Sequence, residues 1–424
     1  MLIVNRALKT RIFVWHGYLL AGTGSNIYAR QLAREWRREG HDVTVFSQEA
    51  HPERYDLGGA DTVRPDVGGL LPVFVLDEYD GYVVKRVQDC TRVELDAWVE
   101  ANAAAMRARL PADLVFVNHV ILGGPVGAGV GARYVVKAHG SELEYSMRGN
   151  ADLSAWGEEA LAGATATIVG SEHIREVLAE VCGQVDRVHE IPPGVDVDLW
   201  VPAPKAEALA ALLAESRKDP PNPGNANERL PDEGNADRLA AFLAGDRPTV
   251  VYFGKLIENK GVQVLFEALR GVEARAVIVG FGDYRAALER LAEGLDALFT
   301  GPLEHRHLVH LLALADAAVV PSTFPEAFGM VAAEAAAAGC PPIVANHSGL
   351  AEIAQGLERH YPTELRQLPA FANGDAGELR AKLEEQLSLG PQERDALRAA
   401  AREATVELWS WTSVARRILA AASE

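Results

Sequence analysis

Cysteine is scarce in this sequence, and long apolar runs are missing. Its 424 residues include three cysteines, which are odd in number, far apart and without the spacing of a metal site. This usage indicates a reducing compartment, so we expect a cytoplasmic protein that holds no metal. No run of about 18 apolar residues could span a membrane, and residues 1–11 lack the apolar core of a signal peptide. Peripheral contact with a membrane surface stays compatible with the sequence.

Basic residues are also fewer than acidic residues. Lysine and arginine number 41 against 59 aspartates and glutamates, which gives a net charge of −18. A field of this sign repels nucleic acids and anionic bilayers on average, although it tolerates a local basic patch around a phosphate. We therefore expect no nucleic-acid partner. The length allows two or three domains, each large enough to fold without disulfides.

Short apolar runs alternate with amphipathic helical stretches in both halves of the chain. Strands are predicted at Ile12–Trp15, Val43–Phe46, Leu114–Val117, Tyr134–Lys137, Ala166–Val169, Thr249–Phe253, Ala276–Val279, Phe299–Thr300, Ala317–Val320 and Pro342–Ala345. Strands that alternate with helices predict parallel sheets. We expect an α/β protein of two Rossmann-like domains whose sheets face a central cleft, the usual place for a ligand.

The composition suggests where the domains begin and end. We place the first domain at 1–198, the second at 248–405, and a last helix that crosses back to the first domain at 406–424. Residues 199–247 would form a linker. Within it, residues 219–237 read DPPNPGNANERLPDEGNAD, a composition too polar to bury a core. We expect this stretch to be a mobile insertion.

The most informative segment is PSTFPEAFGMVAAE, at 321–334, which leaves a predicted strand and enters a helix. Glu334 lies inside this helix between alanines, where a carboxylate usually needs a partner because unpaired burial is costly. Glu326 lies just before the helix, whose first amides form a natural anion site. Alone, these acids are explained equally well as one that favours the helix dipole and one on the surface. The surrounding pattern favours a binding role.

This segment resembles the signature of glycosyltransferase family 4, whose members are retaining enzymes of the GT-B fold. Further pieces of the family's pattern occur in the right order along nearly the whole chain. They are Gly24 with Leu32 and Gly40-His41-Asp42-Val43, Ile191 to Asp196, Gly254-Lys255-Leu256 with Lys260-Gly261, Val279 to Gly282, and Ser348 to Glu352. Each piece is weak alone, but the ordered set is specific.

The resemblance implies a donor site in the second half. Lys255 and Lys260 would hold the donor diphosphate, although an arginine is frequent where Lys255 stands and lysine lacks its bidentate grip. Glu334 would bond the ribose hydroxyls, and Glu326 the sugar hydroxyls near the reacting carbon. The other donor-binding positions would be Gly254, Gly280, Gly282, Phe328, Gly329 and Met330.

The first half contributes fewer candidates. His139 matches the family's histidine that faces the donor sugar; the alternative is an ordinary histidine at a strand end. His119 would line the acceptor pocket or serve the structure alone. Gly24 keeps the second glycine of the family's N-terminal loop, whereas Thr23 replaces the first and holds the loop farther from a diphosphate. Four basic residues are explained better by solvated surface than by an acceptor phosphate: Lys85, Arg86, Arg92 and Arg133.

The resemblance implies transfer of a hexose-type sugar from a nucleoside diphosphate donor to an acceptor hydroxyl, with retention. Uridine is preferred to guanosine as the donor base, and no cofactor is needed besides the donor. The sequence leaves three classes of acceptor open: a small molecule, a saccharide and a lipid-linked sugar. It also leaves the oligomeric state open between monomer and homodimer. Two alternatives remain: a nucleotide-sugar epimerase of the same architecture, and a protein that binds sugar nucleotides without turnover.

Overall fold

The computed structural model describes residues 9–20, 22, 24–76 and 79–424. The strands are β1 Arg11–Trp15, β2 Asp42–Phe46, β3 Asp61–Val63, β4 Leu70–Val73, β5 Val83–Arg86, β6 Leu114–Asn118, β7 Tyr134–Lys137, β8 Ala166–Val169, β9 Val188–Glu190, β10 Thr249–Phe253, β11 Arg275–Val279, β12 Ala297–Phe299, β13 Ala317–Val320, β14 Pro342–Ala345 and β15 Ala370–Phe371. The helices are α1 Gly24–Arg38, α2 Arg92–Arg107, α3 Gly123–Val130, α4 Gly140–Glu142, α5 Ala151–Ala162, α6 Glu172–Cys182, α7 Lys205–Ser216, α8 Asn235–Phe242, α9 Val262–Leu269, α10 Arg285–Leu291, α11 His305–Leu314, α12 Met330–Ala337, α13 Ser348–His360, α14 Ala376–Ser388, α15 Pro391–Ala404 and α16 Trp411–Ala421. Within these described ranges, no helix is long and apolar enough to cross a membrane.

The chain divides into two compact units. The first holds the described residues up to Gly194 together with Trp411–Glu424, and the second is Val195–Ser410. Counting described residues only, the first unit has a seven-stranded sheet, β3-β2-β1-β6-β7-β8-β9, and the second a six-stranded sheet, β12-β11-β10-β13-β14-β15. Neighbouring strands in both sheets run parallel. The predicted fold class, α/β with two Rossmann-like sheets, is confirmed.

The central strands are buried along their whole length, as expected for parallel sheets with helices packed on both faces. β6 and β10 bury every residue, and such strands are nearly continuous apolar runs in the sequence. The predicted bounds of β7, β8, β10, β13 and β14 are confirmed. Strand ends deviate most at β12, which begins two residues before the predicted Phe299–Thr300.

Residues 199–247 are not a linker, which corrects the prediction from composition. They lie in the second unit and form α7 and α8. Leu212 and Leu239 are fully buried in its core, so these helices pack on the sheet domain like the rest of the unit. The stretch 219–237 is held by hydrogen bonds and is not a loose insertion; its contacts are described below.

The last helix, α16, belongs to the first unit. Its partner there is α1: the Trp36 indole donates to the carbonyl of Ala415 over 3.1 Å, and Tyr28 and Trp411 pack edge to face with ring centroids 5.2 Å apart. The unit boundaries therefore fall at Gly194 and Trp411, a few residues from the predicted 198 and 406.

Candidate active site

The predicted donor residues lie where strands of the second sheet end. β10 leads into Gly254 and Lys255, β11 into Gly280, and β13 into the loop that carries Glu326. The strand order reverses between β10 and β13. Open parallel sheets bind ligands outside the carboxyl ends of their strands, at such a switch point.

Glycine is required where the loops of this edge approach one another. Gly261 has a φ of 72°, and a Cβ there would lie 1.8 Å from the carbonyl oxygen of Pro321. A Cβ on Gly280 would lie 1.8 Å from the carbonyl oxygen of Gly254, and a Cβ on Gly282 would lie 2.3 Å from the carbonyl oxygen of Leu256. The loops after β10, β11 and β13 therefore touch through their backbones, which no larger residue permits.

Lys260 and Glu326 form an ion pair across this edge. Their side chains are 31% and 22% exposed, so a ligand can reach both. The Glu326 amide donates to the Ser348 hydroxyl over 2.9 Å, and the Glu326 carbonyl accepts from the Gly349 amide over 3.0 Å. Two of the predicted site residues, far apart in sequence, are thus brought into contact and held by the start of α13.

His347 fixes the loop beneath this pair. Its Nε2 donates to the Ser322 carbonyl over 2.6 Å, so its Nδ1 is left to accept from the Ser348 hydroxyl at 3.1 Å. Ser348 in turn accepts from Glu326. The tautomer of His347 therefore orients the hydroxyl that positions Glu326.

The start of α12 presents backbone amides at the same edge. Gly329 caps the helix with a φ of 111°, and Met330 is its first residue. The first amides of a helix have no partner within it, and together with the helix dipole they favour an anion. The Phe328 ring is buried against Trp409, with ring centroids 6.1 Å apart. Only the backbone of Phe328 is therefore left to meet a ligand.

Glu334 lies in α12 as a carboxyl without a counter-ion. Burial raises its pKa to about 8. In the part of the chain that the structure describes, its carboxyl group has no ion-pair or hydrogen-bond partner. Such a group stays protonated near neutral pH and gains from any ligand hydroxyl that bonds it.

Lys255 differs from Lys260 in being exposed and unpaired. Its ammonium forms no ion pair with any described residue, while its carbonyl accepts from the Tyr252 hydroxyl over 2.7 Å. The backbone at Lys255 is therefore fixed and its side chain is free to follow a phosphate.

His139 lies at the start of α4 in the first unit, among groups that the sequence did not connect with it. Its Nε2 is 2.8 Å from the Asn118 side-chain oxygen, and its amide donates to Glu142 over 2.6 Å. Burial, and then the neighbouring His119, Lys137 and His16, hold the pKa of His139 well below its usual range. The imidazole is therefore neutral at physiological pH.

His119 stands next to it, with ring centroids 4.8 Å apart. Its Nδ1 is 3.0 Å from the fully buried Glu142 carboxylate, and its backbone is strained, with a φ of 72°. Three buried atoms of this cluster lack a hydrogen-bond partner among the described residues: His16 Nδ1, Asn118 Nδ2 and His119 Nε2. Unsatisfied polar atoms concentrated in one place are typical of a ligand site.

Sequence reasoning missed His16, Asn118 and Glu142. His16 and Asn118 lie at the carboxyl ends of the adjacent strands β1 and β6, so a rule that collects polar residues at strand ends would have found them. Glu142 gives no such signal, because its role depends on the turn that brings it back to His119.

Gly24 is the first residue of α1 and is exposed. It lies two residues before Asn26, whose side-chain oxygen is 2.7 Å from His16 Nε2, so the start of α1 belongs to the histidine cluster of this unit. Thr23, the predicted departure from the family's loop, lies outside the described residues.

The basic residues considered for an acceptor phosphate are engaged elsewhere. Lys85 pairs with Glu94, Arg86 with Asp89 and Arg92 with Asp96, and Arg133 donates to a carbonyl near the end of α16. The described residues also contain no cluster of three or more histidine, cysteine, aspartate or glutamate side chains that could hold a metal ion.

Both halves of the chain match models of known families. Residues 22–199 match the model described as Glycosyltransferase Family 4, and residues 235–404 match Glycosyl transferases group 1. The matches cover most of both units. The chain therefore belongs to the family-4 glycosyltransferases of the GT-B fold, as the resemblance predicted, and is a transferase.

Two curated relatives align over most of their length. D-inositol 3-phosphate glycosyltransferase of Xylanimonas cellulosilytica is 28% identical over 77% of this chain and 76% of its own. GDP-mannose-dependent alpha-(1-6)-phosphatidylinositol monomannoside mannosyltransferase of Mycobacterium tuberculosis is 28% identical over 68% of each chain. Among solved structures, Anabaena HepE in complex with UDP and glucose has a TM-score of 0.64 at 17% identity, over 98% of this chain and all of that one. This last similarity shows the fold.

Proposed function

We propose that the chain transfers a hexose-type sugar from a nucleoside diphosphate donor to an acceptor hydroxyl, with retention at the anomeric carbon. The observation that carries this proposal is the contact of Lys260 with Glu326, beside the unpaired Glu334 and the start of α12. These groups offer cations and amides to a diphosphate and carboxyl groups to hydroxyls. A nucleotide sugar needs all of them together.

The proposed chemistry is electrostatic. Lys255, Lys260 and the first amides of α12 stabilise the negative charge that builds on the departing diphosphate, while positive charge grows on the sugar. No carboxylate is assigned as a nucleophile. The acceptor attacks from the face of departure, and the leaving diphosphate takes its proton.

The relatives guide the choice of substrates. One is named for D-inositol 3-phosphate, a polyol phosphate, and another for a GDP-mannose donor and a lipid-linked acceptor, whereas the HepE structure contains UDP. The sequence alone favours uridine as the donor base, whereas the mannosyltransferase relative supports guanosine, so the donor base is decided by direct comparison of the two. Polyol, saccharide and lipid-linked hydroxyls are the acceptors to screen.

A thermal-shift panel of nucleoside diphosphates and their sugars tests the donor site without an acceptor. A ligand at 100 times its dissociation constant stabilises the native state by about 2.7 kcal/mol. We expect a selective shift with one base and none with the matching nucleoside. Absence of a shift with every nucleotide would contradict the proposal.

Product analysis of the same nucleotide sugars, incubated with the protein with and without acceptors, separates the two alternatives. An epimerase would convert the bound donor into a second nucleotide sugar without an acceptor, and a binding protein would leave it unchanged in every acceptor mixture. If transfer occurs, the configuration at the anomeric carbon of the product, read by NMR, decides between retention and inversion.

A further inference from the structure

The 219–237 segment follows α7, and all but its last three residues lie between the two ranges that match the family models, 22–199 and 235–404. It nevertheless has a defined shape. The side chain of Asn222, only 3% exposed, donates to the carbonyls of Asn227 and Pro231 and accepts from the Asn227 amide, each over 3.0 Å. The buried Asn222 side chain thus closes the loop on itself, together with the bond that the Glu233 amide donates to the Asn225 side chain over 2.8 Å.

This segment is attached to the carboxyl edge of the second sheet. The Asp232 amide donates to the Thr300 carbonyl, directly after β12, over 2.8 Å, and Asn235 donates to the same carbonyl over 2.8 Å. The Asp232 carboxylate, 4% exposed, accepts two bonds of 2.8 and 2.6 Å from Arg285, three residues beyond Gly282. The segment is therefore anchored on the ends of β11 and β12.

At this anchor the segment holds Arg229 over Phe281. The guanidinium carbon lies 5.4 Å from the centre of the Phe281 ring. Arg229 is exposed, and among the described residues its guanidinium has no carboxylate or carbonyl partner. Its five N–H donors are thus available, and the guanidinium carbon lies within cation–π distance of the ring.

Phe281 is connected directly to the donor site. Its carbonyl accepts from the Leu256 amide over 2.8 Å, and Leu256 follows Lys255. β11, which precedes Phe281, is the neighbour of β10 in the sheet. A ligand whose phosphates lie at Lys255 and α12 and whose other end extends along this edge away from β13 arrives at Phe281 and Arg229.

We propose that Arg229, held over Phe281 by the 219–237 segment, contacts the nucleobase of the donor and selects guanine over uracil. This inference rests on the proposed function. An arginine fork donates two parallel hydrogen bonds to the adjacent acceptors O6 and N7 of guanine. Uracil has no such adjacent pair, because a donor, N3–H, separates its two carbonyl oxygens.

Calorimetric titration of the full chain with GDP, UDP and inorganic pyrophosphate tests the proposal. We expect Arg229→Ala and Arg229→Lys to weaken GDP binding by about ten-fold, the lower range for loss of one bidentate contact. UDP binding should change less than three-fold, and pyrophosphate, which has no base, should bind as before. Arg290→Ala, at an exposed arginine of α10 in the same unit, is the matched control.

Three results would overturn the inference, and they differ from failure of the proposed function. Guanine selection by Arg229 would be excluded by an unchanged GDP affinity in Arg229→Ala or by an equal loss of affinity for GDP and UDP. It would also be excluded by a wild-type protein that binds UDP more tightly than GDP. None of these results would contradict the donor site itself. A wild-type protein that binds neither nucleotide would remove the donor site itself.

Discussion

Replacing Glu326 with alanine should lower kcat for release of the nucleoside diphosphate by at least about 100-fold, the loss typical for one preorganised electrostatic contact. Lys260→Ala should have a similar effect. Glu326 would lose its contact with the sugar hydroxyls, and Lys260 its contact with the diphosphate. The two side chains are paired at a partly exposed position, so we expect each change to alter the free energy of unfolding by less than about 1 kcal/mol.

The pairing makes a sharper test possible. If Lys260 and Glu326 act as a unit, the double variant should lose little more activity than either single variant, because effects within a unit are not additive. Lys218→Ala is the matched control, since Lys218 pairs with Glu215 on α7 and should leave kcat unchanged. Near-normal turnover by a folded Glu326→Ala protein would exclude its role in the site.

Glu334→Gln should stabilise the ligand-free protein at alkaline pH and weaken nucleotide binding. Burial raises the pKa of Glu334 to about 8, against 4.5 for the free side chain. Between these values the unfolded chain has released a proton that the folded protein keeps, so Glu334 lowers stability as the pH rises from 4.5 to about 8. The full pKa difference corresponds to about 5 kcal/mol. Because Glu334 keeps some exposure to solvent, we expect the substitution to recover on the order of 3 kcal/mol at pH 9, and almost nothing near pH 4.

Denaturant unfolding at several pH values measures this effect, with Glu358→Gln, an exposed glutamate of α13, as control. Calorimetry in buffers of different ionisation enthalpy gives a second readout. If ligand hydroxyls bond the ionised carboxylate, nucleotide binding near pH 7 should release protons from the wild type and none from the Gln variant. A pH-independent stability difference would show that Glu334 is not buried as an unpaired acid.

The core strands and the apolar surroundings of Glu334 could be predicted from sequence for a simple reason. Strands covered on both faces must be apolar along their length, so β10 and β13 are visible as short runs of valine, alanine and aromatic residues. A glutamate among buried alanines, as in α12, lies in apolar surroundings that raise its pKa. Both signals come from residues that are close together in the chain, so they can be recognised in a single sequence.

The features that sequence missed depend on long-range contacts or on single hydrogen bonds. The pairing of Lys260 with Glu326 follows from β10 and β13 being neighbours in the sheet, which no local pattern states. The order of the 219–237 segment depends on a few specific hydrogen bonds, those of Asn222 within the loop and those of Asp232 at the sheet edge, whereas the composition describes only the stretch as a whole. β3 was missed because its residues are exposed or half-buried, so it lacks an apolar run.

The position of α16 affects how the protein is made. Val414, Ala415 and Ile418 complete a core with Ile12 and Trp36 of the first unit, yet the ribosome synthesises the whole second unit before it reaches them. Until α16 is synthesised, the apolar face of α1 in the nascent first unit therefore stays exposed. Exposed apolar surface of this kind binds chaperones or promotes aggregation. The second unit is continuous in sequence, so all of its residues are available before α16 is made and it can complete its fold first.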